Sequence, residues 1–134
     1  MKELTARRNQ KIIYWTGIFL LSIWFGASGF LEITKNPAVF THTIQMGYPP
    51  LFIVTLGIAK LIGVLVLLVP GKLNGLKEWV FAAFFFDVIF AVISGYAFAG
   101  ISEIIKPLTA FILILITYIT FRKLNPAVRM SLNN

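Results

Sequence analysis

Two ionisable residues lie in the middle of otherwise uncharged apolar segments. Lys60 is the single charge in residues 51–69, and Asp87 is the single charge in residues 80–100. Both lie 13.5 positions from the point between Leu73 and Asn74, inside the polar segment that joins the two runs, so two helices folded back on each other would hold them at one depth. A lone charge at the centre of a bilayer costs on the order of 2.5–3.5 kcal/mol on insertion scales. The sequence therefore predicts a Lys60–Asp87 ion pair within a membrane.

A third ionisable residue, Glu32, ends the first apolar run, with Ser28 and Gly29 one turn earlier on the same side. Two interpretations stay open. Glu32 either only marks the outer end of a helix, or it joins the predicted pair because the Lys60 stem extends outward.

Aromatic residues near the predicted pair suggest what it could bind. A quinone headgroup needs hydrogen-bond donors inside an apolar, aromatic cleft. The alternative is an aromatic core around a structural ion pair. The residues predicted to line such a cleft are Trp24, Phe84, Phe85, Phe86 and Ser94.

The chain carries no motif for catalysis or for metal binding. We find no nucleophile–base pair, metal-ligand cluster or phosphate-binding glycine loop, so we assign no catalytic residue and no metal ligand. No cofactor motif is evident either, which leaves a quinone as the one cofactor to consider. With no Cys and a single His, we do not expect electron transfer by this chain alone.

The composition is that of an integral membrane protein. Of its 134 residues, 58% are hydrophobic and 13% are charged, whereas charged residues make up about a quarter of soluble domains. Four apolar runs are each near the roughly 20 residues that a spanning helix needs. The fold class is therefore all-α, a single-domain bundle of four transmembrane helices, predicted at about residues 12–32, 51–69, 79–100 and 107–124.

The segments at the ends of the apolar runs allow three further predictions, on the first run, on a short helix after it and on the C-terminal residues. A cleaved signal peptide is the competing interpretation of the first run, but the run is longer than the usual apolar region of about 7–15 residues. Asn36 and Pro37 favour the start of a short outer helix between the first two spans, which Gly47 can close. On that helix we expect His42 to be a surface residue, and we expect residues 128–134 to form a disordered tail.

The basic residues indicate orientation rather than nucleic-acid binding. Two of the 12 lie in the other short loops, at Lys35 and Lys106, and Lys60 is inside a span. This bias predicts that both termini and the turn after the second span are cytoplasmic. The remaining nine are Lys2, Arg7, Arg8, Lys11, Lys72, Lys77, Arg122, Lys123 and Arg129.

Several short motifs resemble the DoxX-like family of small bacterial four-helix membrane proteins, over about residues 12–121. In this family a His often follows the Ser of the third helix, whereas Gly95 follows Ser94 here, so the chemistry of that His is not carried over. The matching motifs are Ser28-Gly29 with Glu32, Gly47-Tyr48-Pro49, Gly57 with Ala59-Lys60 and Gly63, Pro70-Gly71, Leu76-Lys77-Glu78-Trp79 and Phe86-Asp87.

The resemblance implies a multi-pass protein of the bacterial cytoplasmic membrane. The family is named from a membrane subunit of a thiosulfate:quinone oxidoreductase, and relatives are associated with redox complexes. The implied function is an accessory membrane subunit that meets a quinone or a redox partner, with Glu32, Lys60 and Asp87 as its functional positions.

Two other classes of function stay open. The first is a small-molecule or proton transporter, although we find only apolar residues between Asp87 and the cytoplasmic turn, where a proton relay would need exchangeable groups. The second is a structural or assembly factor for another membrane protein. The lipid bilayer is the expected partner in every case, and the sequence leaves homo-oligomer formation open.

Overall fold

The computed structural model describes residues 1–126, which are helical with short connections and contain no strand. Four of the helices are long and apolar enough to cross a membrane, which confirms the predicted fold class. The predicted tail, residues 128–134, lies outside the described residues. The elements are α1 (Lys2–Ile33), α2 (Pro37–Gln45), α3 (Pro50–Leu68), α4 (Asn74–Ala99), a 3₁₀ turn (Gly100–Glu103) and α5 (Ile105–Leu124).

The four long helices form a ring in which each packs against two neighbours. α1 packs against α3 and α5, and α4 packs against α5 and α3. Among these pairs, α3 and α4 make the fewest contacts. Large apolar side chains also cover the outside of the bundle, as expected for helices that face lipid.

Close backbone approach holds α1 against α3. A Cβ atom added at either Gly29 or Gly57 would lie 2.8 Å from the carbonyl oxygen of the other. Small residues let membrane helices approach in this way, because lipid supplies no hydrophobic drive between them. Gly63, six residues further along α3, instead leaves room for the ring of Phe84 on α4.

The short helix α2 starts as the sequence predicts. Asn36 precedes Pro37, and its side-chain oxygen accepts a hydrogen bond from the Ala38 amide at 3.0 Å. After the helix, Gly47 takes a φ of 100°, a conformation that glycine adopts readily. His42, expected to be a surface residue, is half-buried and also has a carboxylate neighbour, with Nε2 3.5 Å from Glu103 Oε2. This contact joins α2 to the 3₁₀ turn at the end of the bundle opposite the α3–α4 turn.

The turn between α3 and α4 is shorter than expected. The sequence predicts a polar turn over residues 70–79, but α4 already begins at Asn74. The Lys77 amide donates to the Leu73 carbonyl at 2.8 Å, and its side chain is buried beside Tyr14 of α1. Because this contact places the first turn of α4 inside the bundle, residues that look like a loop in the sequence become helix.

Candidate polar site within the membrane bundle

Lys60 lies between two carboxylates, one from each neighbouring helix. Its Nζ is 2.7 Å from Glu32 Oε1 on α1 and 3.5 Å from Asp87 Oδ2 on α4. Glu32 and Lys60 are 5% and 6% exposed. The structure thus contains the ion pair predicted from spacing. It also decides between the two interpretations of Glu32, which is the nearer partner of the lysine.

The contact between α1 and α3 explains why Glu32 is the nearer partner. Gly29 faces the Cβ of Lys60 and Gly57 faces the Cβ of Glu32, so the two longer side chains flank the point of closest approach and the Lys60 ammonium reaches across it to Glu32. A Cβ atom at Gly57 would lie 3.0 Å from the Cβ of Glu32. The glycine pair therefore sets the distance across which the charges interact.

The Lys60 ammonium donates hydrogen bonds to Glu32 and Ser28 and makes a longer ion contact with Asp87, which leaves carboxylate oxygens of the cluster without a hydrogen-bond donor. The Lys60 ammonium has three N–H groups, and it has three acceptors within reach: Glu32 Oε1, Asp87 Oδ2 and the Ser28 hydroxyl oxygen at 3.1 Å. The Ser28 hydroxyl donates to Glu32 Oε1 at 3.3 Å. Glu32 Oε2 is buried and accepts no hydrogen bond from the described residues. A buried acceptor without a partner costs about 1–3 kcal/mol.

The cluster reaches the surface at the loosest boundary of the bundle. Asp87 lies on the α4 side of the α3–α4 boundary, and its side chain is 17% exposed. Its neighbours one turn away on the same face of α4 are Ala83 and Ala91. Neither alanine is large enough to cover the carboxylate, so this is the partly exposed side of the cluster.

Two stacked aromatic rings lie between α1 and α4, on the side of the cluster that faces the α3–α4 turn. Phe25 of α1 and Phe84 of α4 stack with centroids 3.9 Å apart and planes 8° apart, and both are buried. Phe25 lies seven residues before Glu32, and Phe84 lies three residues before Asp87. A Cβ atom at Gly63, one turn after Lys60, would lie 3.1 Å from the Phe84 ring, so the stacked pair lies about one turn from the charged groups.

The structure does not bring together all of the residues predicted to line a cleft. Phe84 lies beneath the cluster, but Phe85 packs against Phe111 of α5. Trp24 and Phe86 are 40% and 62% exposed on the outer surface. Consecutive residues of a helix point about 100° apart, so residues 84–86 cannot all face one cleft.

The last predicted lining residue, Ser94, is half-buried, and its hydroxyl donates to the Phe90 carbonyl of its own helix at 2.6 Å. Sequence reasoning also missed Phe25 as the inward-facing aromatic residue of α1. The spacing of Phe25, Ser28 and Glu32, at positions i, i+3 and i+7, is the signal that could have identified it.

A second polar group lies at the opposite end of the bundle. Lys77 Nζ is 3.3 Å from the Tyr14 hydroxyl, and Glu78 Oε2 accepts a hydrogen bond from the Tyr118 hydroxyl at 2.9 Å. A layer of buried apolar side chains separates this group from Lys60. The layer contains Ile18, Leu21, Leu67 and Phe81.

Within residues 1–126, no group of three or more His, Cys, Asp or Glu side chains is arranged to hold a metal ion.

Comparison with known proteins identifies a family but no individual relative. Residues 17–119 match the DoxX-like family. Neither the curated proteins nor the solved structures contain a significant match to the chain.

Proposed function

The chain belongs to the DoxX-like family, and from this premise we propose that it is an accessory membrane subunit whose Glu32–Lys60–Asp87 cluster binds a quinone-class headgroup. The observation that carries the proposal is the buried Glu32 Oε2, a strong acceptor without a donor beside a partly exposed carboxylate. Because buried polar groups in proteins are normally hydrogen-bonded, this oxygen points to a missing donor.

The surroundings of the cluster suit a lipid-soluble ring. Quinones reside in the hydrocarbon region, and the cluster approaches that region between α3 and α4, where helix contacts are fewest. The stacked Phe25 and Phe84 supply the apolar, aromatic base that such sites use. Ligand sites of this kind combine a mostly apolar wall with a few polar groups that fix orientation.

A transport function has less support from the arrangement of polar groups. A relay needs exchangeable groups that reach both surfaces. The apolar layer of Ile18, Leu21, Leu67 and Phe81 separates the cluster from Lys77 and Tyr14 at the other end. We therefore propose binding rather than passage through the bundle.

We further propose that the protein resides in the bacterial cytoplasmic membrane with both termini in the cytoplasm, and that it serves a redox partner or another membrane subunit. Its four apolar helices and its family support a multi-pass membrane protein. The uneven distribution of Lys and Arg supports the orientation.

The binding proposal is tested by titrating the purified protein, in lipid nanodiscs, with decylubiquinone and separately with its reduced form. We expect saturable binding of at least one of the two. Ala83→Phe should weaken this binding by about tenfold or more, because the added ring would cover Asp87 from one turn away.

Ala82→Phe is the matched control. Ala82 is also an exposed alanine of α4, but it points about 100° away from Ala83 around the helix. We expect it to bind like the wild type. Absence of saturable binding of either form to the wild-type protein would overturn the proposed function and would favour a purely structural role.

A further inference from the structure

The free hydrogen-bonding capacity of the cluster is entirely that of an acceptor. Lys60 Nζ has three oxygen atoms around it, with hydrogen bonds to Glu32 and Ser28 and an ion contact of 3.5 Å to Asp87. The Ser28 proton is used on Glu32 Oε1. What remains among these groups is carboxylate oxygen that only accepts: Glu32 Oε2, which is buried, and the partly exposed Asp87 carboxylate, which has an ion contact but no hydrogen bond.

The net charge of the cluster also favours a ligand that donates hydrogen bonds. Two carboxylates surround one ammonium, so the ionised group carries one net negative charge. Negative charge favours a ligand that presents a proton and disfavours one that presents a lone pair. A ligand carbonyl would meet oxygen atoms with no donor to receive it.

From this inventory we infer that the site selects the reduced, hydroxyl-bearing form of its ligand, the quinol, over the quinone. A quinol hydroxyl donates a hydrogen bond, which Glu32 Oε2 accepts. A quinone offers two carbonyl oxygens, which are acceptors only, and leaves Glu32 Oε2 without a partner. This inference rests on the proposed function and specifies the chemical state of the ligand.

The test compares three probes that share one tail and one ring: decylubiquinol, decylubiquinone and the dimethyl ether of the quinol. Binding to the wild-type protein in nanodiscs is measured by calorimetry without oxygen. We expect the quinol to bind at least about tenfold more tightly than either of the other two, because only the quinol can donate. The ether keeps the ring and tail, so it isolates the contribution of the hydroxyl protons.

Glu32→Gln supplies an independent test. The amide keeps an oxygen for Lys60 and places an N–H₂ group at the free position, which changes that position from acceptor to donor. We expect the preference to reverse, with the quinone binding more tightly than the quinol. The matched control is Glu78→Gln at the opposite end of the bundle, which should keep the wild-type preference. Circular dichroism establishes that each variant is folded.

The outcomes separate the two proposals. Binding of the quinone as tight as that of the quinol, or equal binding of the quinol and its ether, would overturn the inference while leaving the proposed function standing. Failure of all three probes to bind the wild-type protein would overturn both. Tighter binding of the quinol, with reversal in Glu32→Gln, would support both.

Discussion

At the level of single residues, the bundle contains two buried lysines with opposite surroundings. Lys60 is 6% exposed and lies between two carboxylates. Lys77 is 2% exposed, and within residues 1–126 it has no carboxylate within 4.0 Å; its contacts are the Tyr14 hydroxyl and the rings of Tyr14 and Trp15. The chain thus provides its own comparison between a paired and an unpaired buried cation.

We predict that Lys60→Met costs about 3–5 kcal/mol of unfolding free energy, because it leaves two carboxylates facing each other without a cation. Lys77→Met should cost at most about 1 kcal/mol, since one ordinary hydrogen bond is lost while a buried charge disappears. Unfolding of both variants by denaturing detergent, followed by circular dichroism, measures the difference. Equal losses of unfolding free energy in the two variants would show that Lys60 does not stabilise the buried carboxylates.

Residue spacing was enough to predict the contact between Lys60 and Asp87, because two antiparallel helices fix which positions share a depth. It was not enough to rank the partners of Lys60. Glu32 is nearer only because α1 approaches α3 at Gly29 and Gly57, and a contact between distant segments is not evident in the pattern of either segment. The inward position of Phe25 rather than Trp24 depends in the same way on the rotation of α1.

At the level of helices, the closest packing of the bundle depends on single glycines. A Cβ at Gly57 would meet the Gly29 carbonyl oxygen at 2.8 Å, and the obstacle is backbone that cannot rotate away. Gly26 is also within α1, yet a Cβ there would meet nothing within 4 Å. Two glycines that look equivalent in the sequence therefore have different roles.

We predict that Gly57→Ala destabilises the protein by about 1–3 kcal/mol, the usual cost of overpacking. Gly26→Ala should be neutral or stabilising by up to about 1 kcal/mol, because alanine is the better helix former. Thermal unfolding in one detergent measures both. A Gly57→Ala protein as stable as Gly26→Ala would show that the Gly29 backbone does not limit the packing of α1 against α3.

The short helix α2 is held to the bundle by a polar contact near the surface, whereas the long helices are held by buried packing. It contains no buried residue and is joined to the 3₁₀ turn by His42 and Glu103, each more than a third exposed at the side chain. Segments with few buried contacts open most readily. We expect the amides of α2 to exchange with deuterium faster than those of α1, α3 or α4.

His42→Ala should accelerate this exchange further, because it removes the contact with Glu103. Thr41→Ala, an exposed neighbour on the same helix, is the control and should have little effect. Protection of α2 equal to that of α3 would contradict this description of its attachment.

Sequence reasoning identified each of the four spanning helices but not all of their ends. The cap at Asn36 was predictable because capping is local chemistry. The early start of α4 was not, since it depends on burial of Lys77 beside Tyr14, 63 residues away in the chain. Local signals thus located α2 accurately, whereas tertiary contact extended α4.

At the level of the whole molecule, composition alone predicted the fold class. Apolar runs of spanning length leave few alternatives to a helical bundle, because every backbone polar group in hydrocarbon needs a partner within its own segment. The order of helices around the ring and the loose α3–α4 boundary were not predictable, since all four helices are apolar on most of their surface.

Orientation in the membrane is a prediction at the same scale. The chain has no Cys, so single cysteines can be introduced without background. Thr41→Cys on α2 and Lys72→Cys in the α3–α4 turn are both exposed positions at opposite ends of the bundle. In bacterial spheroplasts, we expect a membrane-impermeant maleimide to label Thr41→Cys at once and Lys72→Cys only after lysis. The reverse pattern would place the termini outside.

The most direct test of the account is a double-mutant cycle between Lys60 and Glu32, because its central claim is that these side chains act as one buried unit with Asp87. Unfolding free energies are measured for the wild type, Lys60→Met, Glu32→Gln and the double variant. We predict a coupling energy of about 1 kcal/mol or more, with the double variant less destabilised than the sum of the two single variants. If the loss of unfolding free energy in the double variant equalled the sum of the two single losses to within about 0.5 kcal/mol, Lys60 and Glu32 would not act as one unit.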